Sequence, residues 1–209
     1  MSDDLKLRLI DAAAAVIRDN ADVLTELDQA IGDGDHGINM KRGFEAIAAE
    51  RNALAGLAWP QALHKAGMAL VMKVGGASGP LYGSLLMQMG KAADEELSSI
   101  GDVASCLGAG VEAVKQRGKS STGQKTMLDV LVPVQQALQQ AAGNGAELAA
   151  AIAATRRAAD AGQAAAKEMV ATKGRASYLG ERSKGHDDPG ATSSRLLVHT
   201  VCDVLEGAR

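Results

Sequence analysis

Apolar positions recur at helical spacing along almost the whole chain. Leu5, Leu9, Ala13 and Val16 repeat every three or four residues, with Ser2 placed to cap the segment and Asp3 and Asp4 near its positive end. Leu24, Leu27 and Ile31 share one face of a helix expected over 22–31. Met40, Phe44 and Ile47 do the same over 40–50. A helix over 60–73 starts at Pro60, a residue suited to the first helical position, and carries Leu63, Gly67, Leu70 and Val71. Further periodic segments run over 80–96 (Leu81, Leu85, Met89), 101–117, 125–142, 146–171 and 190–206 (Leu197, Val201, Leu205). Pro133 is expected to kink the segment in which it lies. The pattern predicts eight or nine helices, no strand, and no linker that would divide the chain, so a single domain over 1–209 is expected.

Composition strengthens this reading. Aromatic residues are 2% of the chain and alanine is abundant, while runs of Val, Ile, Thr and Tyr are missing. Ala, Leu, Met, Glu, Gln and Lys favour helices, whereas β-branched and aromatic residues favour strands. The fold class is therefore expected to be all-α. With 209 residues, 46% apolar and 22% charged, the chain suits one globular domain. The net charge of −3 comes without a clustered basic face, which argues against nucleic acid as a partner. No apolar run approaches the roughly 18–20 residues that span a bilayer, and the acidic, amphipathic start is unlike a secretory signal. Cys106 and Cys202 form no C-x-x-C pair and read as buried thiols in a reducing compartment. Cytoplasmic residence is expected.

The connections carry more information than the helices. Half of the 24 glycines fall in four short stretches, 32–37, 75–79, 118–123 and 174–190. One glycine per connection would serve a helix end. Two to four suggest backbone wrapped closely around a ligand.

The sharpest motif is L-D-Q-A-I-G-D-G-D-H-G-I-N-M over 27–40. Asp28, Asp33 and Asp35 place three carboxylates within eight residues. Such groups repel unless cations lie between them, and Mg²⁺ takes oxygen ligands that it shares with phosphates. The spacing lacks the closing Glu of an EF-hand. No His or Cys partner sits close enough to His36 for a zinc site. His36 reads instead as a hydrogen-bond donor to a phosphate, and Asn39 offers an amide from the first helical turn. His64 and His199 read as structural or solvated. A second motif, K-V-G-G-A-S-G-P-L-Y-G over 73–83, runs from a glycine loop into a helix, an arrangement that presents free backbone N–H groups to an anion. It matches neither a Walker A loop nor a dinucleotide fingerprint. A third, R-G-K-S-S-T-G-Q-K-T-M over 117–127, is rich in glycine and hydroxyls. The fourth, over 173–192, is too long to be a plain connection and reads as a folded lid anchored by Tyr178 and Leu179, with Arg175 and Arg182 able to meet phosphates.

Together these motifs resemble the L subunit of the phosphotransferase-system-dependent dihydroxyacetone kinases, in order and spacing, from about residue 20 to 200. The resemblance implies an antiparallel barrel of about eight helices with a nucleotide site and a capping loop at one end. It implies two Mg²⁺ ions on Asp28, Asp33 and Asp35. It implies nucleotide contacts at His36, Gly37, Ile38, Asn39, Ala77, Ser78, Gly118, Met127, Arg175, Asp188, Pro189 and Gly190. In such a system ADP stays bound, is converted to ATP by a phosphohistidine on an M subunit, and passes the phosphoryl group to dihydroxyacetone on a K subunit. Contact with a transcriptional regulator and formation of a homodimer are compatible with it. The length of 209 residues leads us to expect a separate subunit rather than the C-terminal part of a longer ATP-dependent kinase. The alternative is an ATP-dependent kinase subunit for another small polyol or sugar, with exchangeable nucleotide.

Overall fold

The periodic segments fold as helices in a computed structural model that describes residues 3–207. They are α1 (Asp3–Asp19), α2 (Ala21–Ile31), α3 (His36–Ala49), α4 (Arg51–Ala55), α5 (Trp59–Lys73), α6 (Ser78–Ala92), α7 (Ile100–Gly118), α8 (Leu128–Gly143), α9 (Leu148–Glu168), a 3₁₀ segment (Arg175–Ser183) and α10 (Pro189–Glu206). No strand occurs among the described residues, and no helix among them is long and apolar enough to cross a membrane. The Ser2 cap lies outside the described residues.

Local chemistry explains the boundaries. Ser99 caps α7 reciprocally: its Oγ accepts the Asp102 N–H at 3.1 Å, and Asp102 Oδ2 accepts the Ser99 N–H at 2.9 Å. Pro sits in the first turn of α5 and of α10. α3 starts at His36 rather than at 40, because the turn before it is only four residues long. α6 stops at Ala92, short of 96, and α8 starts at Leu128. α4 escapes a periodicity argument because five residues make little more than one turn. Its end is held by Lys6, a buried side chain whose Nζ donates to the carbonyls of Ala55, at 2.6 Å, and Leu57. Pro133 stays inside α8 and leaves the Asp129 carbonyl without its helical donor. That carbonyl faces Gly162 of α9, where any Cβ would collide with it.

Packing order follows chain order. Contacts run α1–α3–α5–α6–α7–α8–α9–α10 and back to α1, a closed cycle of eight helices, with α2 lying on α3 and α10. The main core fills from these helices through Ile17, Leu24, Met40, Leu70, Leu85, Val111, Val114, Leu128 and Leu131. Each such side chain contributes about 1.5–3 kcal/mol by burial. α5 and α6 touch backbone to backbone. A Cβ on Gly67 would lie 2.7 Å from the Gly83 carbonyl oxygen, and one on Gly90 2.6 Å from that of Pro60. A separate small cluster of Ile31, Ala171 and Ala176, with Leu179 against it, sits beneath the 3₁₀ segment.

Candidate functional site

Four connections meet where α2 ends and α3, α6, α8 and α10 begin. The first is the turn after α2. Asp28, in the last turn of α2, is buried, and its Oδ2 accepts the backbone N–H groups of Asp35 (2.8 Å) and His36 (3.1 Å) at the start of α3. The turn closes over this carboxylate only because residue 32 has no side chain, since a Cβ there would overlap Asp28 Oδ1. Asp33 and Asp35 are exposed. Asp35 stands at the N-cap of α3 without making a side-chain cap bond, so its carboxylate is left for another partner. Oxygens of Asp28, Asp33 and Asp35 all lie within 4.8 Å of one another. This is a set of hard oxygen donors, drawn from the end of α2 and the turn that follows it, and it fits a small divalent cation such as Mg²⁺. Arg175 of the 3₁₀ segment reaches Asp33 Oδ2 at 2.9 Å.

The second connection, 74–77, faces the first. Gly76 has φ +64 and stands where a Cβ would be 3.8 Å from both Asp35 carboxylate oxygens. Asn39 is buried beside Gly75 and accepts from Arg42 at 2.6 Å. Ala77 is exposed and Ser78 half-buried at the start of α6. Gly79 and Gly83 face α5 rather than the site, so part of this motif serves helix packing. Gly37 is likewise pressed against α2, with Ala21 and Thr25 where its side chain would be. Ile38, by contrast, is 60% exposed.

The expectation that the His36 ring donates to a phosphate is not met in this arrangement. The ring is buried, with Nδ1 2.9 Å from Ser78 Oγ and Nε2 2.9 Å from Ser193 Oγ. Burial pushes its pKa down to about 4, against the pull of the Asp28 carboxylate, so the imidazole is neutral at pH 7. One ring nitrogen donates and the other accepts. Tyr82 Oη extends the chain of hydrogen bonds to Ser193 Oγ and Ser194 Oγ, both at 2.8 Å, and its pKa is pushed up to about 12 by burial. His36 thus orients Ser78 and ties α3 to α6 and α10.

The third and fourth connections are stitched to each other. Asp129, buried in the first turn of α8, accepts the backbone N–H groups of Gly123 and of Thr126 (2.7 Å) and so shapes the loop before it. Met127 is buried, and its backbone N lies 3.6 Å from where a Cβ on Gly190 would stand. Asp188 caps α10 by accepting the Ala191 N–H at 2.7 Å. Its pKa is pushed up to about 7 by burial, against that hydrogen bond and the nearby Lys125. Pro189 is buried in the first turn of α10. Gly118 ends α7 against Ser120 and Leu81, the latter in the first turn of α6. The lid expected over 173–192 is folded as the 3₁₀ segment, but its anchors differ. Leu179 packs on the small cluster, whereas Tyr178 is 86% exposed. A tyrosine in an aperiodic stretch carries no face information, which is why the sequence misassigned it. His199 is structural, with Nε2 2.9 Å from Asp160, and His64 is exposed.

Sequence reasoning missed Ser193, Ser194, Tyr82, Asp129 and Lys125. Only Asp129 left a local signal, an Asp three residues after Thr126 at a helix start. A groove of about 910 Å³ lies elsewhere, on the outer wall between α5, α6 and α7, lined by His64, Met87, Gln88, Lys91 and Arg117 among others. Its size does not make it the chemical centre, because the clustered carboxylates and folded loops lie at the ends of the helices.

The DAK2 domain family matches residues 30–203. The chain is 44% identical over 198 residues to the ADP-binding subunit DhaL of PEP-dependent dihydroxyacetone kinase 1 from Listeria innocua, covering 95% of this chain and 94% of that one. It is 40% identical over 182 residues to the Escherichia coli ADP-binding subunit DhaL, covering 87% of each. Human triokinase/FMN cyclase is 34% identical over 184 residues, but only 32% of its length is covered. Among solved structures, the dihydroxyacetone kinase from C. freundii in complex with AMP-PNP and Mg²⁺ superposes with a TM-score of 0.74 at 24% identity. All of this chain is covered, and 34% of that one. The chain belongs to the DAK2 domain family, among the DhaL subunits of dihydroxyacetone kinases.

Proposed function

We propose that this chain is the nucleotide-carrying subunit of a phosphoenolpyruvate-dependent dihydroxyacetone kinase and that it keeps Mg–ADP as a resident cofactor. The observation that carries the reading is the cluster of Asp28, Asp33 and Asp35 oxygens within 4.8 Å of one another. These carboxylates would hold two Mg²⁺ ions. When bound, the ions supply neutralisation of phosphate charge, which in-line phosphoryl transfer requires. Around them, His36 fixes Ser78, and Ala77 and Ser78 offer α6's first N–H groups to an anion. Gly37, Ile38, Asn39, Gly118 and Met127 would complete the nucleotide's surroundings, with Arg175 and the Asp188–Pro189–Gly190 turn closing over it. No side chain of the chain need become phosphorylated.

In this reading the partners are a dihydroxyacetone-binding K subunit and a phosphohistidine-carrying M subunit, met in the cytoplasm at the end that bears the carboxylates. Contact with a transcriptional regulator and a homodimer are finer possibilities of the same reading. The DhaL relatives, matched over nearly their full length, support it. Native mass spectrometry of freshly purified protein tests it, with one ADP and two magnesium ions per chain as the expected mass. A bare chain that also takes up no Mg–ADP when it is supplied would overturn it. The second reading is a kinase subunit for another small polyol or sugar with exchangeable nucleotide, and similarity to D-erythrulose kinase of Mycolicibacterium smegmatis, 35% identical with 35% of that protein's length covered, motivates it. Survival of ADP through gel filtration separates the two.

A further inference from the structure

Lys125 is 1% exposed, the bulkiest side chain so deeply buried among the described residues. A buried ammonium is tolerated only when its three donors are met. Here they are met by backbone carbonyls alone: Ala166 at 2.8 Å and Lys167 at 3.1 Å in the last turn of α9, and His186 at 2.6 Å beyond the 3₁₀ segment. The cation therefore caps the negative end of α9 and holds the return segment of the lid in one contact. Its backbone has φ +59, a left-handed conformation that is costly for a non-glycine residue. That cost is sustained only where surrounding contacts exceed it.

Its neighbour does the complementary task. The Gln124 carbonyl accepts the Thr172 N–H at 3.4 Å, just before the 3₁₀ segment begins. Both ends of the lid are thus pinned to two adjacent residues of the loop before α8. The neck is closed by Ser183, whose Oγ accepts the Ala171 N–H at 2.8 Å. The lid's front reaches the carboxylate cluster through Arg175 and Asp33. In the proposed function this segment closes over the nucleotide, so its fastening bears on release, and Lys125 ties the lid's return at His186 both to the end of α9 and to the loop leading into α8.

We propose that Lys125 is a positioning residue that sets how long the nucleotide stays bound, by fastening the lid and the Asp188 turn that follows it. This rests on the proposed function and decides within it between a resident and an exchanging nucleotide. Lys6 provides a matched control. It too is buried and donates to two carbonyls, but these belong to the end of α4 and not to the lid.

The test is the rate at which radiolabelled ADP leaves the magnesium-loaded protein after dilution into unlabelled ADP. Lys125→Met, which keeps the stem and removes the donors, is expected to release ADP about tenfold faster or more, the equivalent of losing one charge-assisted hydrogen bond. Lys125→Gln, which keeps part of the donor set, is expected to fall between, and it carries the test where the Met variant does not fold. Lys6→Met is expected to lower the melting temperature without moving the release rate beyond twofold. Equal release from Lys125→Met and wild type would overturn the proposal. So would acceleration by Lys6→Met to the same degree, since lost stability alone would then explain both. A wild-type chain that holds no labelled ADP overturns the proposed function itself, and the inference with it.

Discussion

Nη2 of Arg175 lies 2.9 Å from Oδ2 of Asp33, joining the lid to the turn that carries two of the three clustered carboxylates. Both side chains are exposed to solvent, so the pair adds little stability of its own. Its importance is positional, because it marks Asp33 as a carboxylate shared between a cation from the protein and the ions it is proposed to hold. Asp33→Asn keeps the shape and removes the charge. It is expected to weaken Mg–ADP retention about tenfold to a hundredfold and to lower kcat with it. Nucleotide content after purification and turnover with K and M partners check both. Full content with full activity would remove Asp33 from the ligand set.

Magnesium withdrawal should be read out by the fold. A ligand that binds only the folded chain stabilises it by roughly 4 kcal/mol at a thousandfold excess over Kd. EDTA is expected to lower the melting temperature by several degrees in wild type and by less in an Asp28→Asn, Asp33→Asn, Asp35→Asn triple variant. Identical melting curves with and without chelator would contradict a nucleotide held through metal.

Asp188 gives a pH dependence of definite sign. Its carboxyl is held near pKa 7 in the fold and has an ordinary value of 3.8. Between those values the folded chain keeps a proton that the unfolded chain has released. Stability therefore declines as pH rises through that window, and the decline is complete above it. His36, depressed to about 4, works in the opposite direction below its ordinary 6.5. The informative quantity is the difference between variant and wild type. Asp188→Asn, still able to cap α10, is expected to gain melting temperature relative to wild type between pH 5 and pH 8 in nucleotide-free protein. A difference that stays constant with pH would show that Asp188 is charged throughout.

Gly37 is buried against α2, and a methyl group there would meet the Ala21 carbonyl and the Thr25 backbone, neither of which can rotate away. Gly37→Ala is expected to destabilise the chain by about 1–3 kcal/mol, or roughly 3–10 °C in melting temperature. Thermal denaturation measures it, and a shift below 1 °C would mean that α2 and α3 separate more easily than their contact suggests.

What could be read from the sequence was short in range. Asp28, Asp33 and Asp35 lie within eight consecutive residues, so their convergence needs no knowledge of the distant fold. The helices show themselves through the spacing of Leu24, Leu27 and Ile31 or of Met40, Phe44 and Ile47. The hydrogen-bonded chain His36–Ser193–Tyr82–Ser194 stayed hidden because its members come from three helices far apart in sequence. Lys125 was hidden for a different reason. Lysines are nearly always solvated, and nothing local says that this one meets three carbonyls inside. The glycine stretches were only half understood. Gly32, Gly34 and Gly76 shape turns, whereas Gly37, Gly79 and Gly83 let helices touch.

That second use of glycine reaches beyond the carboxylates. Gly67, Gly83 and Gly90 bring α5 and α6 so close that the two helices behave as a single thick rod carrying the 74–77 loop at its tip. A saturation scan of this chain would show a line of positions intolerant of even alanine, running down the rod and away from the carboxylates. Read by sensitivity alone, that line would be mistaken for a second binding surface. It is the mounting on which the loop opposite Asp35 is carried.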